Sequence, residues 1–150
     1  MCILEDTPIP ITVVVEGEEV QLCSYKVRSV HRRHGNTNKC IWTISIEEEV
    51  NCFKDSVFKN WLENKEGWGL KINATNGGLE QVGVSEIKEG LKIAKFVDTN
   101  STNEWHGYPA DYCRRINDKP SLKVLNDWRD KGIISKTQMG KITRGQKCNL

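Results

Sequence analysis

The chain has 150 residues, the size of a single domain, and a chain of this length buries about 70% of its unfolded surface on folding. Hydrophobic residues make up 37% and charged residues 28%, and the Trp and Phe residues lie in or beside patterned segments, which argues against a disordered chain. No run approaches the ~18 apolar residues of a membrane span, and the first residues lack the pattern of an export signal. We therefore expect one domain over residues 1–150, in the cytoplasm, without membrane contact.

Six cysteines occur along the chain. A reducing compartment, and a chain long enough to build a core, favour thiols over disulfides. Cys40 alternates with Trp42 and Ile44, as side chains on the core-facing side of a strand do. We therefore predict that Cys23, Cys40 and Cys52 are buried free thiols.

The first third of the chain has the pattern of a sheet. The β-branched run Ile11–Val15, a turn at residues 16–18 and the alternation through Val20 and Leu22 predict a β-hairpin, whose second strand extends through residues 27–30. Alternating apolar positions at residues 40–46 predict a third strand. The polar residues 31–39 then form a loop.

The middle of the chain combines one helix with more strands. Phe53, Val57, Phe58, Trp61 and Leu62 recur at helical spacing, and Gly67 is suited to end that helix. Strands are predicted at residues 68–74, 79–84 and 91–97, with a turn at residues 76–78.

The last third begins with residues 98–119, which have no clear period and predict a long loop. Pro120 suits the start of a helix whose face carries Leu122, Leu125 and Trp128 and which Gly132 ends. Ser135 with Gln138 forms a capping box for a final helix that ends near Gly145. The predicted fold class is α+β, with a mainly antiparallel sheet of about five to six strands, one central helix and a C-terminal helical hairpin.

The net charge of +2 conceals an uneven distribution. Residues 1–25 carry five acids and no Lys or Arg, residues 26–39 carry five bases and no acid, and residues 114–150 carry ten bases against three acids. Clustered Lys and Arg release counterions from a phosphate backbone and attract it. Such runs are also typical of solvated surfaces that bind nothing.

These two basic regions supply the first candidate site, a nucleic-acid-binding surface. The two C-terminal helices flank a connection at residues 132–134 of the length found in a helix-turn-helix, although any antiparallel helix pair looks similar in sequence. The candidate nucleic-acid-binding residues are Arg28, Arg32, Arg33, Lys136, Lys141 and Arg144.

A second candidate is a ligand loop within residues 98–119. Trp105 and Tyr108 could stack on a base, with His106 between them, or they could anchor the loop in the core. We favour the anchoring role, because a loop of this length needs a fixed point.

Histidines near arginines raise the question of catalysis. Imidazoles titrate near neutrality and Arg stabilises a phosphorane, so His31, His34 and His106 are candidates for acid-base chemistry on RNA. No Cys-x-x-Cys pair or second His pair completes a zinc site, and the sequence contains no phosphate loop, dinucleotide fingerprint or nucleophile elbow. No metal and no cofactor are predicted.

Three functions follow from these patterns. The first is a small non-catalytic binding protein that engages an anionic partner, nucleic acid above all, through residues 26–39 and 114–150. The alternative is a protein interaction module, an inhibitor or immunity-type accessory protein such as a phage or mobile element could encode, that uses the acidic hairpin or the Trp105 segment. The second alternative is a small ribonuclease-like toxin using His31, His34 or His106.

Overall fold

The computed structural model describes residues 3–33 and 38–150. Within these ranges the protein is a mixed α+β structure, as predicted. The helices are α1 (Ile46–Phe58), α2 (Leu122–Asp130) and α3 (Lys136–Thr143), with short 3₁₀ turns at Ser29–His31 and Ile116–Asp118. The strands are β1 (Pro8–Val15), β2 (Glu18–Lys26), β3 (Ile41–Trp42), β4 (Leu62–Glu63), β5 (Glu66–Gly69), β6 (Lys71–Ile72), β7 (Leu79–Glu80), β8 (Gly83–Val84), β9 (Gly90–Leu91), β10 (Ala94–Val97) and β11 (Glu104–Pro109).

The main sheet has six strands in the order β1-β2-β11-β10-β5-β4. Only the β2–β11 contact is parallel, and the other neighbours are antiparallel. Strands β3, β8 and β9 form a second sheet, and β6 pairs with β7. The prediction of a mainly antiparallel sheet is therefore confirmed.

The predicted N-terminal hairpin is also confirmed. Glu16 and Gly17 both have positive φ, 52° and 80°, which matches the two-residue turns that connect twisted strands. Strand β2 ends at Lys26, so it does not extend through residues 27–30 as predicted. The chain instead makes the 3₁₀ turn that contains His31.

The central helix begins earlier and ends earlier than predicted. Ser45 caps α1, and it forms a reciprocal capping box with Glu48, so the predicted strand at residues 40–46 shrinks to Ile41–Trp42. The helix ends at Phe58, because Asn60 adopts a left-handed conformation with φ 58°. Gly67 is a residue of β5 and not a helix cap.

Strand β11 is the main difference from the predicted loop at residues 98–119. Its six residues form a central strand of the main sheet. A Cβ atom at Gly107 would lie 2.4 Å from Cδ1 of Phe96, so glycine at this position admits the aromatic ring. Packing of the Phe96 ring against β11 thus explains why a glycine, which in the sequence indicated a loop, occupies position 107 of a strand.

Two hydrophobic clusters lie on opposite faces of the main sheet. The first contains Phe53 of α1, Phe96 and Trp105. The second contains Trp68 and the buried residues of the C-terminal hairpin. Lys95 and Phe96 point to opposite faces of the sheet, because side chains alternate along a strand. Trp68 pairs with Lys95 on the neighbouring strand, so its side chain lies on the face opposite to Phe96.

The C-terminal helical hairpin has the predicted form. Gly132 has φ 73° after α2, the capping box of Ser135 and Gln138 opens α3, and Gly145 follows its end with φ 69°. The buried face of α2 is Val124, Leu125 and Trp128, whereas Leu122, predicted to share that face, is 61% exposed.

The burial of Trp61 and Trp128 also agrees with the sequence pattern. Trp61 is 1% and Trp128 0% exposed, and their rings meet edge to face with centroids 5.6 Å apart. Trp61, however, follows α1 and is not part of it.

The described cysteines carry no disulfide. Cys23, Cys40 and Cys52 are buried free thiols, as predicted, and Cys113 and Cys148 are half-buried free thiols. Burial raises the pKa of the Cys23 and Cys40 thiols to about 11 and that of Cys52 to about 12.

Candidate functional site

Two cavities that share Arg28 and His106 form what we call the basic groove. The first has a volume of about 280 Å³ and is lined by Arg28, Val30, His31, Lys39, Cys40, His106, Tyr108 and Arg115. The second has a volume of about 360 Å³ and is lined by Lys26, Arg28, Thr99, Asn100, Glu104 and His106. The groove therefore joins residues of both basic regions to the Trp105–Pro109 segment.

Strand β11 determines which side chains of that segment reach the groove. Trp105, Gly107 and Pro109 are buried, while His106 and Tyr108 are half-buried on the other face. Trp105 packs in the first hydrophobic cluster, where its ring lies 5.8 Å from that of Phe53. Trp105 is thus an anchor in the core and lines neither cavity, whereas His106 and Tyr108 line the groove.

His31 is held at the groove by two contacts. Its Nδ1 lies 3.0 Å from the Cys40 carbonyl oxygen, and its ring stacks on Tyr108 with centroids 5.3 Å apart. Since a carbonyl oxygen only accepts, Nδ1 of the neutral ring carries the proton and Nε2 carries the lone pair. Burial lowers the pKa of His31 to about 4, so the imidazole is neutral at neutral pH.

A buried network fixes Tyr108. Its hydroxyl donates to Oδ1 of Asp118 at 3.2 Å, and Oδ2 of the same carboxylate accepts from the Asp111 amide at 2.8 Å. The Trp68 indole donates to the Asp118 carbonyl oxygen at 3.0 Å. Burial raises the pKa of Asp118, and this network holds the ring on which His31 lies.

His106 lies between charges of both signs. Burial lowers its pKa first, and the cationic side chains of Arg28 and Lys26 lower it further. The carboxylates of Glu104 and Asp98 oppose them and raise it. The protonation of His106 therefore depends on how the neighbouring cations are neutralised.

The cations that line the first cavity are only loosely paired. Arg28 lies 3.8 Å from Asp6, with side chains 41% and 49% exposed. Arg115 pairs with Glu86, also at the surface, and Lys39 forms no ion pair with a described residue. Exposed ion pairs contribute only about 0–1 kcal/mol each, so an anionic ligand can replace them.

Arg32 has a different role from the one predicted. Its Nη2 lies 2.6 Å from Oε1 of the fully buried Glu49, and its Nη1 donates to the Ile44 carbonyl oxygen at 2.5 Å. With its side chain 12% exposed, Arg32 stabilises the fold and lines neither cavity of the groove. Arg33 is exposed, and His34 lies outside the described residues.

The candidate residues of α3 and its C-cap do not line the groove. Lys136 and Arg144 are exposed and Lys141 is half-buried, and the described structure shows no ion pair for any of them. The other seven bases of residues 114–150 all have partners. Carboxylates pair with Arg114, Arg115, Arg129, Lys131 and Lys147, and carbonyl oxygens accept from Lys119 and Lys123. The local excess of bases in the sequence thus overstates the free positive charge.

Sequence reasoning missed three cations of the groove, one of which, Lys26, lines the second cavity. Lys39 and Arg115 were counted in the basic regions but not chosen as site residues, although both line the first cavity. Basic character was their only signal, and the positions that bring them together depend on β11.

Comparisons of the chain with protein-family models, curated proteins and solved structures found no match. No described helix has the length and apolarity needed to cross a membrane. Among residues 3–33 and 38–150, no group of three or more His, Cys, Asp or Glu side chains is arranged to hold a metal ion.

Proposed function

We propose that this protein binds single-stranded nucleic acid through the basic groove. One observation carries the proposal: Arg28 and Lys39 of the first basic region and Arg115 of the second converge on one cavity together with two imidazoles. Among the described residues that line this first cavity, none is acidic. Converging cations of this kind suit a phosphate group.

The shape of the groove favours a flexible strand. Two cavities of about 280 and 360 Å³ meet at Arg28 and His106. Two consecutive nucleotides can therefore occupy one cavity each, with Arg28 between them. Single strands offer unstacked bases and a backbone that can follow such a groove. The exposed pairs of Arg28 with Asp6 and Arg115 with Glu86 would exchange for phosphate contacts.

Fluorescence anisotropy with a labelled single-stranded oligonucleotide tests the proposal. The variant Arg28→Gln/Arg115→Gln should bind more weakly than the parent. Loss of two phosphate contacts should also lower, by about 1.4, the magnitude of the slope of the logarithm of the binding constant against the logarithm of the salt concentration. The titrations are run at about 50 and about 200 mM salt, since the difference in affinity between parent and variant is larger at low ionic strength. A parent protein that binds neither RNA nor DNA at low salt contradicts the proposal.

The same assay compares the groove with α3. The prediction that Lys136, Lys141 and Arg144 contact phosphate remains, and Lys141→Gln/Arg144→Gln removes the same charge as the groove variant. If only this second variant loses affinity, the C-terminal hairpin is the binding surface and the groove is not.

A second candidate function is binding of a protein through the N-terminal hairpin. Strand β1 is an edge strand of the main sheet, and Val14, Val15 and Val20 are 70%, 50% and 42% exposed. Acidic residues surround these valines, so a partner with a basic rim would be complementary. Cross-linking that captures a partner with the parent but not with Val15→Lys/Val20→Lys supports this function, and equal capture by both contradicts it.

A further inference from the structure

The basic groove brings together two imidazoles that are far apart in sequence. His31 lies against Tyr108, and His106 precedes Tyr108 by two residues on the same face of β11. Both imidazoles line the first cavity, whose volume is about 280 Å³, so one nucleotide in that cavity can contact both rings. Two imidazoles beside cations constitute the chemistry of general acid-base attack on a phosphodiester.

His31 has the properties of the base. Its Nδ1 proton is held by the Cys40 carbonyl oxygen, which leaves the lone pair on Nε2. Burial lowers the pKa of His31 to about 4; the Cys40 hydrogen bond opposes this, and the charges of Lys39, His106 and Arg28 add to it. The ring therefore accepts a proton from a substrate without first having to lose one.

His106 has the properties of the acid once a phosphate is bound. The cations Arg28 and Lys26 disfavour its imidazolium, whereas Glu104 and Asp98 favour it. A phosphate that binds Arg28 cancels one opposing charge and adds a favourable one. Substrate binding thus promotes protonation of His106.

We propose that the basic groove cleaves single-stranded RNA, with His31 as general base and His106 as general acid. This rests on the proposed function, because RNA must first bind in the groove. The 2′-hydroxyl gives its proton to Nε2 of His31 as its oxygen bonds to the adjacent phosphorus. The bond from phosphorus to the 5′-oxygen breaks, and the leaving oxygen takes the proton of His106.

The products are a fragment ending in a 2′,3′-cyclic phosphate and a fragment beginning with a 5′-hydroxyl. Atoms and charges balance between RNA and the two imidazoles, with no further reactant. Arg28, Lys39 and Arg115 face the negative charge that develops on the phosphorane oxygens. DNA lacks the attacking hydroxyl, so it should bind and remain intact.

The test uses the full chain, a labelled single-stranded RNA and the DNA of the same sequence, with affinity and cleavage measured in parallel in the presence of EDTA. The parent should cleave RNA to a cyclic phosphate end, fastest on the acidic side of neutrality. His31→Gln and His106→Gln should each lower the rate by about 100-fold or more. Both should keep their affinity for the uncleaved DNA within about threefold of the parent's, which shows that the variants fold, since phosphate contacts rest on the cations.

The control is Lys54→Gln on α1, the helix that packs on the face of the sheet opposite to the groove. This variant, purified in the same way, should cleave RNA at the parental rate. RNA that binds but stays intact overturns cleavage and leaves the proposed function standing. Cleavage unchanged in both histidine variants, or equal cleavage of DNA, also overturns it. Failure to bind either nucleic acid overturns both proposals.

Discussion

Replacing Arg32 by Met should strongly destabilise the protein, because the change leaves the buried carboxylate of Glu49 without its cationic partner. Glu49 is 0% exposed and accepts from Nε and Nη2 of Arg32 at 3.1 and 2.6 Å, while Tyr25 donates to its other oxygen at 2.5 Å. Arg32 also donates to the carbonyl oxygens of Ile44 and Ser45. Met retains most of the aliphatic volume and none of these donors, so Glu49 keeps only Tyr25 as a partner.

Removing one member of a buried ion pair costs about 3–5 kcal/mol. For a chain of this length that corresponds to a fall in Tm of about 10 °C. Urea denaturation of Arg32→Met is compared with Arg33→Met, which removes the same charge from the neighbouring exposed position and should change stability by less than about 0.5 kcal/mol.

The pH dependence identifies the cause. Burial already raises the pKa of Glu49, and loss of Arg32 raises it further. A carboxyl with a raised pKa is favoured in its protonated form, so the deficit of Arg32→Met should shrink as the pH falls and grow as it rises. Adding Glu49→Gln should recover part of the lost stability. If Arg32→Met and Arg33→Met are equally stable, the buried pair has been wrongly described.

Further changes test other parts of the fold. Trp128→Ala should cost about 3–5 kcal/mol in urea denaturation, since the ring is fully buried, and an unchanged midpoint would contradict the packing of the C-terminal hairpin. Gly107→Ala should cost about 1–3 kcal/mol, because its Cβ would lie 2.4 Å from Phe96, and a neutral effect would argue against β11 at the centre of the sheet. His31 has a folded-state pKa of about 4 against 6.5 when free, so stability should fall as the pH drops between these values, and His31→Gln should flatten that slope in denaturation measured at several pH values. Cys23, Cys40 and Cys52 should react with a thiol reagent only after unfolding, and mass spectrometry without reduction that finds any of them unalkylated after denaturation would show a disulfide.

Sequence patterns predicted elements whose signals are local. The hairpin turn at Glu16 and Gly17 and the capping box of Ser135 and Gln138 both depend on residues within a few positions of each other, and both are confirmed. The start of α1 has a local signal of the same kind, since Ser45 and Glu48 form a capping box. The alternation of apolar residues at 40–46, however, favoured a strand over the same positions. Two local patterns competed there, and the helix cap prevailed.

The errors arise where tertiary packing decides the structure. Gly107 and Pro109 indicated a loop, yet the glycine makes room for Phe96 from the adjacent strand, a contact that no local pattern contains. Arg32 looked like a surface cation because its partner Glu49 lies on a helix seventeen positions away. The groove could not be predicted either, since it exists only once β11 brings His106 and Tyr108 to His31.

Binding in the basic groove is tested by titrating the parent protein with a single-stranded RNA oligonucleotide whose 2′-hydroxyls are methylated, so that it cannot be cleaved, and following the histidine imidazoles by NMR. If the basic groove binds the RNA phosphates, the imidazole resonances of both His31 and His106 should shift together and saturate, because both rings line the same cavity. The apparent pKa of His106 should rise in the complex, since a bound phosphate favours its imidazolium. RNA binding that leaves both imidazoles unshifted would place the nucleic acid elsewhere on the protein and contradict the account.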